Sequence, residues 1–305
     1  MQLSRMIDRV LHQQSQWVSL SSGDLTAGID PMGAQLSTLR DRAGRDLLWG
    51  GDPSVWAGRA PILFPIVGTL AGGGYRLGSK TYHLPRHGFA RGKLFDIVGA
   101  TSAAAAFRLR ADETTLQIYP FRFELEVRFA LEGPTLVVTT YVRNAGDEDM
   151  PASFGYHPAF RWPLPFGRAR SSHHIEFESE EPAPIRRLNA NGLQTLERHP
   201  TPVSHRRLEL ADALFQDDVI IFDELRSRSV TYGAEDGPRI RVDFPGMPLF
   251  GLWSKPRADF ICIEPWCGVA DTDGFSGDFR TKPGVFIVAP GAALPITMTI
   301  TLLGA

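Results

Sequence analysis

Residues 121–129 read Phe-Arg-Phe-Glu-Leu-Glu-Val-Arg-Phe, with apolar and charged side chains in strict alternation. Successive side chains of a strand point to opposite faces, so this run can bury one face and wet the other only as an antiparallel strand. The run that follows, Thr135 to Arg143, is rich in Val, Thr and Tyr, and Gly133-Pro134 between the two reads as a hairpin turn. Ile240-Arg241-Val242-Asp243-Phe244 alternates again. Tyr75-Arg76-Leu77 and Lys80-Thr81-Tyr82-His83-Leu84 form a second hairpin about Gly78-Ser79, and Val285–Val288 and Ile296–Leu303 add strands on either side of Pro290-Gly291.

Helical periodicity is scarce. Arg206 to Ala213 could hold one helical turn or two, and residues 5–16 a short amphipathic helix with Met6, Ile7, Val10 and Leu11 on one side. This second segment is expected to be a packing arm or a frayed terminus. The 30 glycines and 23 prolines fall between apolar runs as turn punctuation, with no repeat and no linker. Many short strands without intervening helices exclude a parallel α/β sheet. The expectation is all-β: one domain over residues 1–305, a large antiparallel β-sandwich with a concave face.

Charge and cysteine content narrow the partners. The formal net charge is −2, so no basic surplus exists to neutralise a nucleic-acid backbone. No apolar run approaches the ~18 residues that span a bilayer. Residues 1–16 carry scattered charges and no continuous apolar core, unlike a secretory signal. Cys262 and Cys267 are the only cysteines, too few for a disulfide framework, and a reducing cytoplasm is the expected compartment.

Three segments place polar groups inside apolar runs: Ala60–Gly68 with the nearby Arg86–Arg91, Ser153–Phe160, and Phe260–Gly268. Glu264 is the sharpest anomaly, since it follows Phe-Ile-Cys-Ile. A carboxylate in a buried strand needs a partner or a raised pKa. It is either the structural partner of an arginine or a general base, whose best pKa lies near the working pH. His157, between Phe154-Gly155-Tyr156 and Pro158-Ala159-Phe160, is a hydrogen-bonded core histidine or a ring aimed into a cleft by its Gly and Pro neighbours. His87 lies between Arg86 and Arg91, cations that favour its neutral ring; otherwise it is a solvated loop residue.

Metal chemistry is not expected. His83 and His87 fall on a strand and a loop, and Cys262 and Cys267 would need two further ligands to hold zinc. Asp271-Thr272-Asp273-Gly274 resembles the start of a calcium loop without its later glutamate. Ser153 near His157 lacks a nucleophile-elbow motif, and Ala71–Gly74 is a surface turn rather than a phosphate loop.

Taken together, the motifs Pro61-Ile62-Leu63-Phe64-Pro65, His87-Gly88-Phe89-Ala90-Arg91, Gly155-Tyr156-His157-Pro158 and Ile263-Glu264-Pro265-Trp266 resemble the aldose 1-epimerase (galactose mutarotase-like) family. They run in the family's order from about residue 30 to the C-terminus; each alone is weak, and the ordered set is specific. The resemblance implies a β-sandwich whose concave face binds a monosaccharide, without cofactor or metal, in a monomer or homodimer. It implies Glu264 as the general base on the anomeric hydroxyl and His157 as the acid on the ring oxygen. His87 would bond the sugar, Asp218 (with Asp217 as rival) would hold its hydroxyls, and Arg59 or Arg91 would be the substrate arginine. The function expected is anomer interconversion of a free aldose. The alternatives are a hexose-6-phosphate 1-epimerase and a non-catalytic carbohydrate-binding protein. Phe160, Trp253 and Trp266 are aromatic residues that could stack on a sugar face.

Overall fold

The computed structural model describes residues 17–304, so the helical arm expected over residues 5–16 lies outside the described residues. Two large sheets dominate. The longer has nine strands in the order Arg207–Glu209, His173–Phe177, Ser229–Ala234, Arg239–Asp243, Ala293–Leu303, Thr135–Asn144, Phe123–Glu132, Ala104–Arg110 and Asp96–Ala100. The second runs Ile220–Phe222, Leu249–Trp253, Phe260–Cys267, Phe154–Tyr156 and Ile62–Leu63, with Ala159–Arg161 also paired to Phe260–Cys267. Every strand pairing in both is antiparallel.

The alternation at 121–129 places Phe123, Leu125, Val127 and Phe129 in the core and leaves Arg128 exposed. Glu132 pairs with Thr135 across Gly133-Pro134, and Gly133 takes φ +54, a turn conformation that only glycine adopts without strain. Along Thr135–Asn144 every second residue is buried. One of these, Thr140, is polar. Its hydroxyl lies 2.9 Å from that of Tyr156, which reaches across from the second sheet and donates to the carbonyl of Ile296 at 2.8 Å. Tyr232 crosses in the other direction and donates to the carbonyl of Arg161 at 2.6 Å. These hydroxyls keep their partners while their rings fill the space between the sheets, so the two faces are pinned at fixed points. A single cluster of buried apolar side chains, including Phe64, Phe154, Phe177, Phe250 and Ile300, occupies that space.

The structure corrects one expected element. Arg206–Ala213 is not helical: Arg207–Glu209 is an edge strand, and a short 3-10 turn begins only at Asp212–Phe215. Leu208 is buried opposite Ile175 while Arg207 and Glu209 face outward, a period of two that an edge strand satisfies in three residues. The short α-helix instead covers Glu113–Ile118, where Asp112 accepts from the Thr115 amide and Thr115 accepts from the Asp112 amide. Among the described residues, no helix is long and apolar enough to cross a membrane.

The calcium-like Asp271 is already engaged. Its carboxylate pairs with the buried Lys282 and accepts the amide of Ala71 at 2.8 Å, and its own amide donates to Thr69 at 2.9 Å. The hydrogen bonds of Asp271 tie the segment after Phe260–Cys267 to the loop that carries Gly68, and the buried ion pair with Lys282 fixes that carboxylate. Replacing Lys282 by Met would leave a carboxylate buried without its counter-charge. The expected loss is about 3–5 kcal/mol in urea denaturation, partly recovered when Asp271→Asn is added. An unchanged midpoint for Lys282→Met would show that the pair does not hold this region.

Candidate active site

The pairing of Phe260–Cys267 with its neighbours creates the site. Phe154 faces Cys267 and Gly155 faces Trp266; beyond a gap, Ala159 faces Cys262 and Phe160 faces Ile261. The register is the same on both sides of the gap, so within it His157 stands directly opposite Glu264. Pro158 and Pro265 lack amide hydrogens and open the ladder there. Only the Ile263 amide still reaches across, to the carbonyl of Pro158 at 3.1 Å. Directly opposed residues on one face have neighbouring Cβ atoms, and Nε2 of His157 lies 3.2 Å from Oε2 of Glu264.

Burial dominates the electrostatics of this pair. Glu264 is 1% exposed and His157 7%. Loss of solvent pushes the Glu264 carboxyl well above the usual carboxylate range, and it pushes His157 down to about 3, with Arg86 and Arg91 acting in the same direction. Both groups are thus driven toward their neutral forms.

His87 reaches the site through a turn that leaves it at φ +68. The next residue, Gly88, has to be glycine: it takes φ +72, and a Cβ there would lie 2.2 Å from the Phe64 carbonyl oxygen. That approach joins the Pro61–Pro65 and His87–Arg91 motifs. The Gly68 amide reaches Nδ1 of His87 at 3.1 Å and the Arg86 Nε–H reaches its Nε2 at 3.2 Å, so donors face both ring nitrogens and the neutral imidazole accepts at one of them. His87 is not a solvated loop residue: it is 7% exposed, and burial is the main cause of its lowered pKa, ahead of His157 and the two arginines.

These groups line a cleft of about 290 Å³, at the small end of ligand pockets. Its wall holds Glu264, His157, His87, Asp218 and Arg91 together with Arg86, Lys255, Trp56, Trp253 and Trp266. Asp218 faces the cleft and Asp217 is not among its lining residues. Asp218 sits at φ +62, its carbonyl accepting from Arg187 at 3.0 Å and its carboxylate 4.0 Å from Arg86. Strained non-glycine backbone at both His87 and Asp218, in one cleft, fits a functional site. Arg59 stands apart: its guanidinium stacks over Trp17 at 4.9 Å and donates to the Ser37 carbonyl at 3.1 Å. Phe160 is fully buried against Tyr232, away from the cleft.

Sequence reasoning missed Trp56 and Lys255 and treated Arg86 only as a neighbour of His87. The Trp56 ring stacks on His157, with centroids 5.1 Å apart and an interplanar angle of 26°. Trp253 meets the same imidazole edge-on at 5.9 Å. Lys255 donates to the Val55 carbonyl and so closes the loop that carries Trp56. No local signal marks these residues, because each arrives from a separate loop. Glycines 155 and 251 make room for the Trp266 indole; a Cβ on either would come within 2.6 Å of its ring.

Comparison with known proteins came to the same region of sequence space. The family described as Aldose 1-epimerase matches residues 16–273. Protein LacX (plasmid) of Lactococcus lactis subsp. lactis is 33% identical over 296 residues, covering 94% of this chain and 99% of its own. A Cenchrus ciliaris protein provisionally named glucose-6-phosphate 1-epimerase is 29% identical, covering 87% of this chain and 75% of its own. The crystal structure of a galactose mutarotase-like protein from Lactobacillus casei superposes with a TM-score of 0.87 at 29% identity, covering 94% of this chain and 99% of that one.

The direction of the histidine shifts can be checked without any substrate. Nitrogen-15 NMR of the imidazoles is expected to show His157 and His87 neutral from about pH 5 to about pH 8, with no titration near the ordinary histidine value. A midpoint near 6.5 for either ring would contradict the burial argument.

Proposed function

We propose, from the premise that the chain belongs to the aldose 1-epimerase family, that it is a cytoplasmic mutarotase interconverting the α and β anomers of a free aldose by acid–base ring opening and closure. The observation that carries this reading is the opposed pair, Glu264 and His157, 3.2 Å apart in the floor of a cleft walled by three tryptophans. O1 and O5 of a pyranose both leave C1, so neighbouring groups can serve both oxygens at once.

In the forward step the pair's one proton, held on Glu264 in the empty cleft, moves to His157; the carboxylate then takes the O1 proton while His157 gives its proton to O5. The C1–O5 bond breaks and C1 becomes an aldehyde. Rotation about C1–C2 presents the other carbonyl face. His157 then takes the proton back from O5 as that oxygen attacks C1, and Glu264 returns one to O1. The pair holds one proton throughout, and no electron leaves the sugar. Each positioned proton transfer is worth roughly 10²–10⁴-fold. Two together could supply roughly 5–11 kcal/mol if the gains add. Asp218, His87 and Arg86 would hold hydroxyls, and the indoles of Trp56, Trp253 and Trp266 would pack against the apolar C–H faces of the ring.

A phosphorylated aldose is the second reading, favoured by one observation. Arg86, Arg91 and Lys255 line the same cleft, three cations against two carboxylates, one of which burial holds toward neutrality. Against it, these cations are already engaged. Arg91 donates to the Arg86 carbonyl at 2.8 Å, Lys255 to that of Val55, and Arg86 faces Asp218.

Polarimetry of freshly dissolved α-D-glucose and α-D-galactose tests the reading. The protein is expected to speed the drift to equilibrium, and Glu264→Gln to lose at least ~10²-fold. A faster rate on glucose 6-phosphate than on glucose would move the substrate to the phosphorylated class. Saturable sugar binding without any rate gain would leave only a binding role. The pH profile gives an independent check. Burial makes the doubly protonated pair lose its first proton at low pH, and it makes the singly protonated pair keep its last proton to high pH. The singly protonated form therefore spans neutrality, and kcat/KM is expected to be flat from about pH 5 to about pH 8. A bell centred near an ordinary histidine pKa would count against the pair.

A further inference from the structure

The acid–base scheme leaves one buried group of the site without a task. Cys262 lies two residues before Glu264 on Phe260–Cys267, so both side chains project to the same face of the sheet. Its register partners are Ala159 on one side and Trp253 on the other. Alanine is small, and the space beside it lets the thiol come close to the catalytic pair. The thiol sulfur of Cys262, a ring nitrogen of His157 and a carboxylate oxygen of Glu264 all lie within 4.8 Å of one another, and all three residues are buried.

We propose that His157, Cys262 and Glu264 form a binding site for a borderline-soft divalent cation of the zinc class, and that its occupation inhibits the enzyme. The inference rests on the reading of His157 and Glu264 as acid and base, and it adds a regulatory ligand to that site. Ligand chemistry selects the ion. One sulfur, one nitrogen and one oxygen suit zinc or cadmium, whereas magnesium and calcium require a shell of six or more oxygens.

Geometry permits the ion. A tetrahedral zinc holds S, N and O donors at about 2.0–2.3 Å, and so about 3.3–3.8 Å from one another. The histidine and glutamate already meet at 3.2 Å, so they need only part slightly, and the thiol has at most about 1.5 Å to close. A water would complete the shell at the fourth position.

Charge balance favours it as well. The thiol and the protonated carboxyl of Glu264 each give up a proton to solvent on binding. The thiolate and the ionised carboxylate then cancel the double positive charge, so the buried complex carries no net charge to desolvate. Occupation would take the lone pair of His157 and the carboxylate of Glu264, the same atoms that the sugar requires. Binding of ion and sugar is therefore mutually exclusive.

The test starts from chelator-treated protein titrated with cadmium and followed through the ultraviolet thiolate-to-metal charge-transfer band. Zinc binding is measured in parallel by calorimetry. One ion per chain and a charge-transfer band are expected for the wild type. Cys262→Ala should lose the band and bind zinc more weakly by more than the ~100-fold that loss of an outer-shell partner can cost. Cys262→Ser, closer in size, guards against a folding defect in the alanine variant. A band that survives in both variants would come from Cys267, the only other cysteine, and would overturn the proposal. So would zinc binding of wild-type strength in both. In the polarimetric assay, zinc should inhibit the wild type, chelator should reverse this, and Cys262→Ala should turn over and resist zinc. Should no aldose be turned over at all, the mutarotase reading fails while the band and the calorimetry still decide the metal site.

Discussion

A carboxylate and an imidazole share one buried register position, and much of the molecule serves to keep them there. Antiparallel pairing of Phe260–Cys267 with the two short strands flanking His157 leaves no freedom in which residues face each other. A slip of one residue would turn Glu264 to the opposite face of its sheet, and it would part it from the imidazole as well. Each group without the other would be an unpartnered polar side chain in an apolar layer, at a cost of several kcal/mol. The pair is thus a lock on register, which explains how a strand that is otherwise Phe-Ile-Cys-Ile tolerates a glutamate.

The sheets around the pair are held so that this geometry is not the weakest point. Tyr156, beside His157, is pinned to the nine-stranded sheet through Thr140 and the Ile296 carbonyl. Asp271, held by Lys282, fixes the segment just beyond Trp266 to the loop that presents Gly68 and, through Gly68, the His87 ring. Polar contacts within apolar surroundings, where such contacts are strong, therefore brace the Trp266 end of the strand that carries Glu264. Positive φ at Asp218 marks its loop as a backbone held in place by its surroundings.

Shape and charge divide the work of recognition. Three indoles wall the cleft, and glycines at 155 and 251 let the Trp266 ring lie flat over the sheet. The cations are mostly committed to carbonyls and to Asp218, so they act as oriented donors more than as free charge. Burial, meanwhile, keeps the two histidines and Glu264 near neutrality. A site of this kind suits a neutral polyhydroxylated ligand, for which hydrogen-bond direction matters more than net field.

Much of the architecture was legible in sequence because the relevant information is local. Alternation at 121–129, the Gly133-Pro134 turn and the hairpin about Gly78-Ser79 depend only on neighbouring residues, and the structure places strands and turns there. Arg206–Ala213 was misread because three residues are too few to separate a period of two from a helical turn. Glu264, His157 and His87 stood out as polar residues inside apolar runs, a signal that requires no knowledge of the fold. What the chain could not disclose locally is which side chains meet. Arg59 and Arg91 look equally eligible in sequence, yet one stacks on Trp17 and the other lines the cleft. Trp56 and Lys255 come from loops some 200 residues apart that are joined through the Val55 carbonyl and the packing of Trp56 on Trp253. Cys262 lacked metal partners at any sequence spacing and found two across a strand gap and along its own face. Sequence by itself determined the layers and the chemistry available to them, because period and residue type are carried by each segment. Tertiary structure alone decided the neighbours, because contacts between distant segments are fixed by register and packing, which no single segment contains.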